Sequence, residues 1–390
     1  MDLAFIALFV AAGIASLFMA WVIGAGSSGA TPFAPAVGAN EISTMRAAFV
    51  VGILGFTGAV TQGANVSEAV GSGLVGGVSL PLSGVIGVLV IGAGLMAVGI
   101  KTGYPIATAF TVTGSVIGIG LAMGGEPVWP KYTQIGAVWV FTPFVGGGIA
   151  YAIASVLPRP DVPERFSVAA LAGLVGAVTM NIEFAFLGSS RGGGSIASVV
   201  GGLIGLGWAG ILLVTLLAFV GVAAAVSIDI QRNPSAGLSR VLLGLGSLVA
   251  FSAGGSQVGL AVGPLLPLLD GIETVSTLAV LVGGGFGILV GSWTGAPRMI
   301  KSLAQDYSSL GPRRSIAALV PSFLIAQTAV LLGVPVSFNE IVVSAIIGSG
   351  AAVGGRDAIS GRKIVVTVGA WAGSFVLAFG LAYGVAAILP

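Results

Sequence analysis

Long apolar stretches without a charged residue alternate with short segments that carry Lys, Arg, Asp or Glu, and this alternation dominates the chain. About 20 apolar helical residues cross a bilayer. Twelve such stretches are legible, at 3–23, 47–67, 82–100, 104–123, 134–157, 166–187, 197–226, 241–267, 275–295, 315–332, 335–353 and 364–389. Residues 192–228 lack any charge, which allows one long tilted helix or a helix plus a re-entrant piece. Asp2, not a basic segment, precedes the first stretch and eleven more follow it, so a membrane helix is expected there rather than a cleaved signal peptide. The predicted fold is all-α: a polytopic membrane protein of about 12 transmembrane helices, with residues 1–390 as a single transport domain.

Composition reinforces this and narrows the chemistry. Only 7% of the 390 residues are charged and 56% are hydrophobic, where a soluble domain carries about 25% charge. There is no Cys and no His, which removes thiolate nucleophiles, disulfides, Ser-His-Asp triads, haem ligands and soft-metal sites. No GxxxxGK[ST] run is present, so an internal ATP-driven motor is excluded. A net charge of +2 spread over many loops offers no nucleic-acid face. Transport, lipid chemistry with Asp or Glu, or a scaffold remain.

Basic residues sort by loop parity. Odd-numbered loops hold Arg46, Lys101, Arg159, Arg165, Arg232, Arg240, Arg298, Lys301, Arg313, Arg314, Arg356, Arg362 and Lys363; even-numbered loops hold Lys131 and Arg191. Basic residues mark the cytoplasmic side, so odd loops are expected inside, with both termini extracytoplasmic and the chain in the plasma membrane.

The chain also repeats itself. Ala25-Gly26-Ser27-Ser28-Gly29-Ala30-Thr31 aligns with Gly254-Gly255-Ser256-Gln257-Val258-Gly259-Leu260 at an offset of 229. Gly63-Ala64 aligns with Gly295-Ala296 at 232, and Gly103-Tyr104-Pro105-Ile106 with Gly333-Val334-Pro335-Val336 at 230. The copies start in stretches 1 and 8, seven apart, so they lie in opposite orientations. Two inverted-topology repeats are predicted, 19–125 and 248–355, joined by connecting helices at 126–247. Secondary transporters are often built this way, with the substrate at the repeat interface near the midplane and helices broken there. A duplicated scaffold without transport is the plainer alternative.

Broken helices in lipid must be buried in protein or line a watery cavity, and a helix restarting there aims free N–H groups at an anion. The expected substrate-binding residues are Ser27, Ser28, Gly29, Thr31, Gly255, Ser256 and Gln257. Close helix packing is the competing role for small residues of this kind.

Phe251-Ser252-Ala253-Gly254-Gly255-Ser256-Gln257-Val258-Gly259-Leu260-Ala261-Val262-Gly263-Pro264-Leu265 resembles the second signature of the inorganic phosphate transporter (PiT) family, F-S-H-G-A-N-D-V-A-N-A-I-G-P-L. Ala25 to Gly38 is similar to the first, G-A-N-D-V-A-N-A-F-G-T-S-V-G, and Gly333-Val334-Pro335-Val336-Ser337 to its G-[LV]-P-V-S-T-T-H segment. The departures are informative. The family's Asn-Asp pair becomes Ser27-Ser28 in one copy and Ser256-Gln257 in the other, and its later Asn becomes Thr31 and Leu260. The resemblance places those Asn and Asp residues at the phosphate and sodium sites, so both carboxylates are missing. Phosphate near neutral pH keeps a proton to donate to a carboxylate, whereas sulfate has none. A pocket of hydroxyls, amide and backbone N–H therefore points to sulfate, as in the family's sulfate-permease branch, with a Na+- or H+-coupled phosphate symporter as the alternative.

For ion coupling the expected residues are Glu340, Ser337, Asn339 and Glu68, because an ionisable group at membrane depth is a functional candidate. Glu340 follows Pro335 by five residues; the alternative is a carboxylate held by backbone donors at a helix N-terminus. Glu68 also fits a span end in water, Glu183 lies near the end of an apolar stretch, and Arg191 reads as loop. Trp21, Trp129, Trp139, Trp293 and Trp371 read as interfacial anchors. The expected partners are an inorganic oxyanion, the lipid bilayer and a second copy in a homodimer, without nucleic acid; no cofactor or structural metal is expected beyond Na+ as coupling ion. A channel or a lipid head-group enzyme are the other classes. The enzyme needs clustered Asp or Glu such as D-x-x-D, which the chain lacks.

Overall fold

The computed structural model describes residues 3–188, 193–269, 275–354 and 359–388; Asp2, Arg191 and Arg356 lie outside the described residues. Its helices, in order, are α1 (Leu3–Gly26), α2 (Ala34–Gly38), α3 (Thr44–Gln62), α4 (Ala64–Ser72), α5 (Leu82–Thr102), α6 (Thr108–Ala122), α7 (Trp129–Val156), α8 (Glu164–Met180), α9 (Ile196–Leu203), α10 (Gly207–Arg232), α11 (Pro234–Val262), α12 (Leu266–Leu269), α13 (Thr277–Thr294), α14 (Ala296–Gln305), α15 (Pro312–Leu331), α16 (Phe338–Gly354) and α17 (Gly361–Ile388). Two short antiparallel ribbons staple loops: β1 (Val75–Gly76) pairs with β2 (Glu126–Pro127), and β3 (Glu183–Phe184) with β4 (Gly194–Ser195).

Among the described residues nine helices are long and apolar enough to cross a membrane: α1, α3, α5, α7, α10, α11 (with α12), α13, α15 and α17. Two shorter apolar helices, α6 and α16, match further charge-free stretches, and α8 overlaps the stretch at 166–187. At 1.5 Å per residue, the 15 residues of α6 extend about 22 Å, short of a hydrocarbon core of about 30 Å. The charge-free run from residue 193 onward resolves into a short α9 and a long α10. The N-terminus of α9 is set by a capping box, in which the Ser195 side chain accepts from Ser198 N–H and the Ser198 side chain from Ser195 N–H.

Packing follows an exchange of halves. α1 packs on α13 as α11 packs on α3, and α1 on α5 as α11 on α15. α5 packs on α6 as α15 packs on α16, while α6 lies against α17 and α16 against α7. Glycine makes these approaches close. A Cβ on Gly254 would sit 1.9 Å from the Gly55 carbonyl oxygen, and one on Gly291 would sit 2.0 Å from that of Trp21. In lipid, where apolar surface gains nothing by leaving its solvent, such contacts supply much of the packing energy. The helix α10 is the opposite case: its apolar face is largely uncovered, with Leu213, Leu216, Leu217 and Val220 exposed.

The aligned pairs of the two copies fall on structural breaks. At Gly63-Ala64 α3 gives way to α4, and at Gly295-Ala296 α13 gives way to α14. α5 ends on Gly103 (φ +76°) and α15 is followed by Gly333 (φ +58°), left-handed conformations that favour glycine. A proline two positions on, Pro105 or Pro335, fixes its own φ and donates no N–H. The chain runs unwound to the next helix, as linker A (103–107) and linker B (333–337).

Candidate functional site

The two linkers, the end of α1 and the middle of α11 meet in the interior. α1 breaks after Gly26, and a chain of turns carries the first signature to α2. The second signature behaves differently: Gly254 to Val262 stays helical, and α11 gives way to a 3-10 turn only at Gly263–Leu265. The expected break at Gly255–Gln257 is absent because small residues there let α11 lie directly against α3 and α4, closed by Gly55, Gly58 and Ser67.

Ser27, Ser28, Thr31, Ser256, Gln257, Ser337 and Asn339 are all 0% exposed and Glu340 is 1% exposed. The two signatures are joined directly: Ser27 Oγ donates to Gln257 Oε1 at 3.4 Å. Gln257 Nε2 donates to the Val336 carbonyl of linker B at 2.8 Å and contacts Ser256 Oγ at 3.5 Å. Asn339 Nδ2 donates to Gly26 O at 3.0 Å and to Ile106 O of linker A at 2.7 Å. Gln257 thus fastens one linker and Asn339 the other, and the N-termini of α6 and α16 converge on the broken end of α1. Dipole and unpaired backbone donors make such ends favourable for an anion.

Not every expected donor is available. Ser28 Oγ donates to Ile23 O, Thr31 Oγ1 to Ser27 O, and Ser256 Oγ to Ala253 O, so these hydroxyls first satisfy the ends and turns of their own helices. Gly29 is required by space, since a Cβ there would sit 1.9 Å from the Gly24 carbonyl oxygen. Gly255 lets the Gln62 side chain approach, its Cβ 2.9 Å from where a Cβ would stand.

The α16 N-terminus carries two buried acceptors without a protein donor, Asn339 Oδ1 and Glu340 Oε2. Ser337 Oγ caps the helix by accepting from Glu340 N–H at 3.4 Å. The reading of Glu340 as a carboxylate held by backbone donors therefore fails at Oε2. A bare carboxylate out of water is costly by several kcal/mol, so this group needs a cation beside it or a proton on it. Glu68 lies elsewhere, exposed on α4, and Glu183 is exposed in β3.

A cavity of about 680 Å³ adjoins the site, lined by Gln62, Asn65, Asn181, Glu183, Gln327 and Thr328 among others. Gln327 Nε2 donates to Ser252 Oγ at 2.6 Å and to Gln62 Oε1 at 3.4 Å, and Gln62 Nε2 to Glu183 O at 3.1 Å. This amide row leads from the cavity to Gly255. Sequence reasoning passed over Gln62 and Gln327, although an amide in a transmembrane stretch is itself a signal.

Two tryptophans depart from the interfacial expectation. Trp139 and Trp371 are not interfacial anchors: Trp139 Nε1–H donates to Pro335 O at 3.1 Å and Trp371 Nε1–H to Pro105 O at 2.8 Å. Trp21 and Trp293 donate to Thr294 Oγ1 and Phe49 O, while Trp129 is exposed with its ring edge-on to Tyr132.

Residues 23–382 match the phosphate transporter family. The chain belongs to that family. Its relatives include the "Putative phosphate permease" of Thermococcus kodakarensis, 26% identical over 359 residues that cover 86% of each chain. The "Inorganic phosphate transporter 2-1, chloroplastic" of Arabidopsis thaliana is 23% identical over 412 residues, covering 91% of this chain and 67% of that one. Among solved structures, "The sodium-dependent phosphate transporter" superposes with a TM-score of 0.78 at 22% identity over 98% of both chains, which shows a shared fold. Membership fits the buried junction of broken helices and leaves the departures at Ser28 and Gln257 as features of this chain within the family.

Proposed function

We propose that this protein is a secondary-active, ion-coupled transporter of inorganic phosphate, working by alternating access in the plasma membrane with odd loops cytoplasmic and both termini outside. The observation that carries the reading is the fully buried junction of Ser27, Gln257, Asn339 and Glu340, where both linkers and two helix N-termini converge. The relatives quoted are named for phosphate, which favours phosphate over the sulfate expected from the missing signature carboxylates. The packing exchange supports repeats that reach beyond the expected 19–125 and 248–355, as α1–α7 and α11–α17, with α8–α10 as the connecting unit.

For coupling we assign Glu340 with Asn339 Oδ1 as the cation or proton partner. A sodium-dependent fold relative makes Na+ the first ion to test. The decisive experiment is uptake by purified protein in proteoliposomes, with phosphate, sulfate, thiosulfate and molybdate competing, with and without a Na+ or H+ gradient. Phosphate is expected to accumulate and to be displaced weakly by sulfate; preferential sulfate uptake overturns the substrate, and non-saturable flux in either direction overturns alternating access. Glu340→Gln is expected to lower gradient-driven accumulation by roughly tenfold, about 1.4 kcal/mol, while phosphate exchange persists. Undiminished accumulation makes Glu340 structural.

A further inference from the structure

The two linkers are each gripped by an indole, and each indole belongs to the other half of the chain. Trp139 lies on α7, which follows linker A in sequence, yet its N–H bonds the Pro335 carbonyl of linker B. Trp371 lies on α17, which follows linker B, yet its N–H bonds the Pro105 carbonyl of linker A. The prolines are related by 230 residues and the tryptophans by 232, so the same contact is made twice with the halves exchanged. Trp139 is stacked on Phe110 of α6 with ring centroids 3.8 Å apart and meets Phe375 of α17 edge-on at 5.8 Å. Trp371 is 5% exposed. These rings are fixed by packing, and their donors reach carbonyls that unwinding has deprived of a helical partner. In a dry interior each such carbonyl requires one.

We propose that Trp139 and Trp371 are positioning residues for substrate binding: crossed tethers that set the path of each unwound linker and so hold the N-termini of α6 and α16 on the oxyanion. Neither ring touches the oxyanion junction itself; they act through the linkers. Losing a tether leaves the linker sampling other paths, and binding then includes the cost of ordering it. The proposal rests on the phosphate-transport reading for its kinetic arm but not for its structural arm.

The test uses the full-length protein carrying Trp139→Phe, Trp371→Phe or both, with Trp293→Phe as control because its N–H bonds Phe49 O, outside either linker. Phenylalanine keeps an aromatic ring and removes the donor. Hydrogen–deuterium exchange is expected to quicken about fivefold, the equivalent of one ordinary hydrogen bond, and in a crossed pattern. Trp139→Phe loosens 333–338 and leaves 103–108 unchanged, and Trp371→Phe does the reverse. In proteoliposomes each variant raises KM for phosphate about fivefold with a smaller change in maximal rate, and Trp139→His, which restores a ring N–H, recovers part of the loss. Exchange that quickens in the variant's own half, in both linkers equally, or as much in Trp293→Phe overturns the crossed tether. Crossed exchange with KM within twofold of wild type overturns the positioning role. Failure of the wild-type protein to transport phosphate would count against the transport reading alone, since the exchange pattern stands without it.

Discussion

Linker A and linker B share one backbone design and differ in what closes over them. Both begin on a left-handed glycine, both pass through proline, and both are tethered by a tryptophan. Linker A is also latched by charge. Gly103 O accepts from Ser302 Oγ at 2.9 Å and from Lys363 Nζ at 3.4 Å, Lys363 sits 4.2 Å over the Tyr104 ring, and it pairs with Asp306 at 3.0 Å. With the 232-residue offset, the positions equivalent to Ser302 and Asp306 are Val70 and Leu74 on and just after α4, both buried and apolar. Lys131 occupies the place of Lys363 without that acid. Linker B instead follows Val330 and Leu331, which line the 680 Å³ cavity. A symmetric scaffold thus carries an asymmetric closure, locked on the odd-loop side and unlatched beside the cavity. Alternating access requires two such states of unequal closure.

The strongest way to break the comparison is at Gln257, which ties linker B to the first signature. Gln257→Glu replaces the donor to Val336 O with an acceptor and buries a second carboxyl. Leaving that carbonyl unpaired costs about 1–3 kcal/mol, so phosphate affinity is expected to fall roughly tenfold or more. Isothermal titration checks this; unchanged affinity would show that linker B needs no side-chain tie to α11. Next in size are the glycines. Alanine in the left-handed region costs about 1–2 kcal/mol, so Gly103→Ala and Gly333→Ala should each lower the unfolding midpoint in detergent. Gly333→Ala is expected to cost more, because its Cβ would lie 3.3 Å from the Asn65 carbonyl oxygen, against 3.6 Å from the Ser302 hydroxyl for Gly103.

The smallest effect sharpens the comparison best. Asp306→Asn removes the latch charge from a partly exposed pair, worth about 1 kcal/mol at most. With no native cysteine, an Ile106→Cys reporter can be labelled without background. Its labelling from the odd-loop side is expected to rise about fivefold or less, while a Val334→Cys reporter on linker B does not gain. Burial pushes the Asp306 carboxyl up, but hydrogen bonds from Ser302 and Lys363 and the lysine charge outweigh it and hold it below the ordinary carboxylate value. A depressed folded value means that the latch contributes above the ordinary carboxylate range and is lost as pH falls through the lowered one. The ratio of labelling in Asp306→Asn to labelling with Asp306 present at the same pH, which cancels the thiol's own titration, should therefore be flat from pH 6 to 8 and fall toward one only in acid.

Spans and breaks were legible because both are matters of composition. A bilayer excludes charge along a whole helix, and Gly63, Gly103, Gly295 and Gly333 mark places where a helix can end. The junction was legible only in part. Gly254 to Gln257 looks like a break in sequence, yet close packing on α3 keeps it helical. Ser28 and Thr31 look like free donors, but a hydroxyl beside a helix end bonds the nearest carbonyl first. Trp139 and Trp371 lie within apolar stretches, and nothing local distinguishes an indole that meets a head group from one that meets a proline carbonyl 196 or 266 residues away. The sulfate expectation counts carboxylates within the two signatures only and so omits Glu340, whose neighbour Asn339 bonds Gly26 O at the junction.

The crossing of the two indoles has a consequence for dividing the chain. A half with one linker and one tryptophan of this design cannot satisfy its own proline carbonyl, because its ring donates into the other half. Neither half carries a complete set of donors by itself, and each completes the other only when both are present.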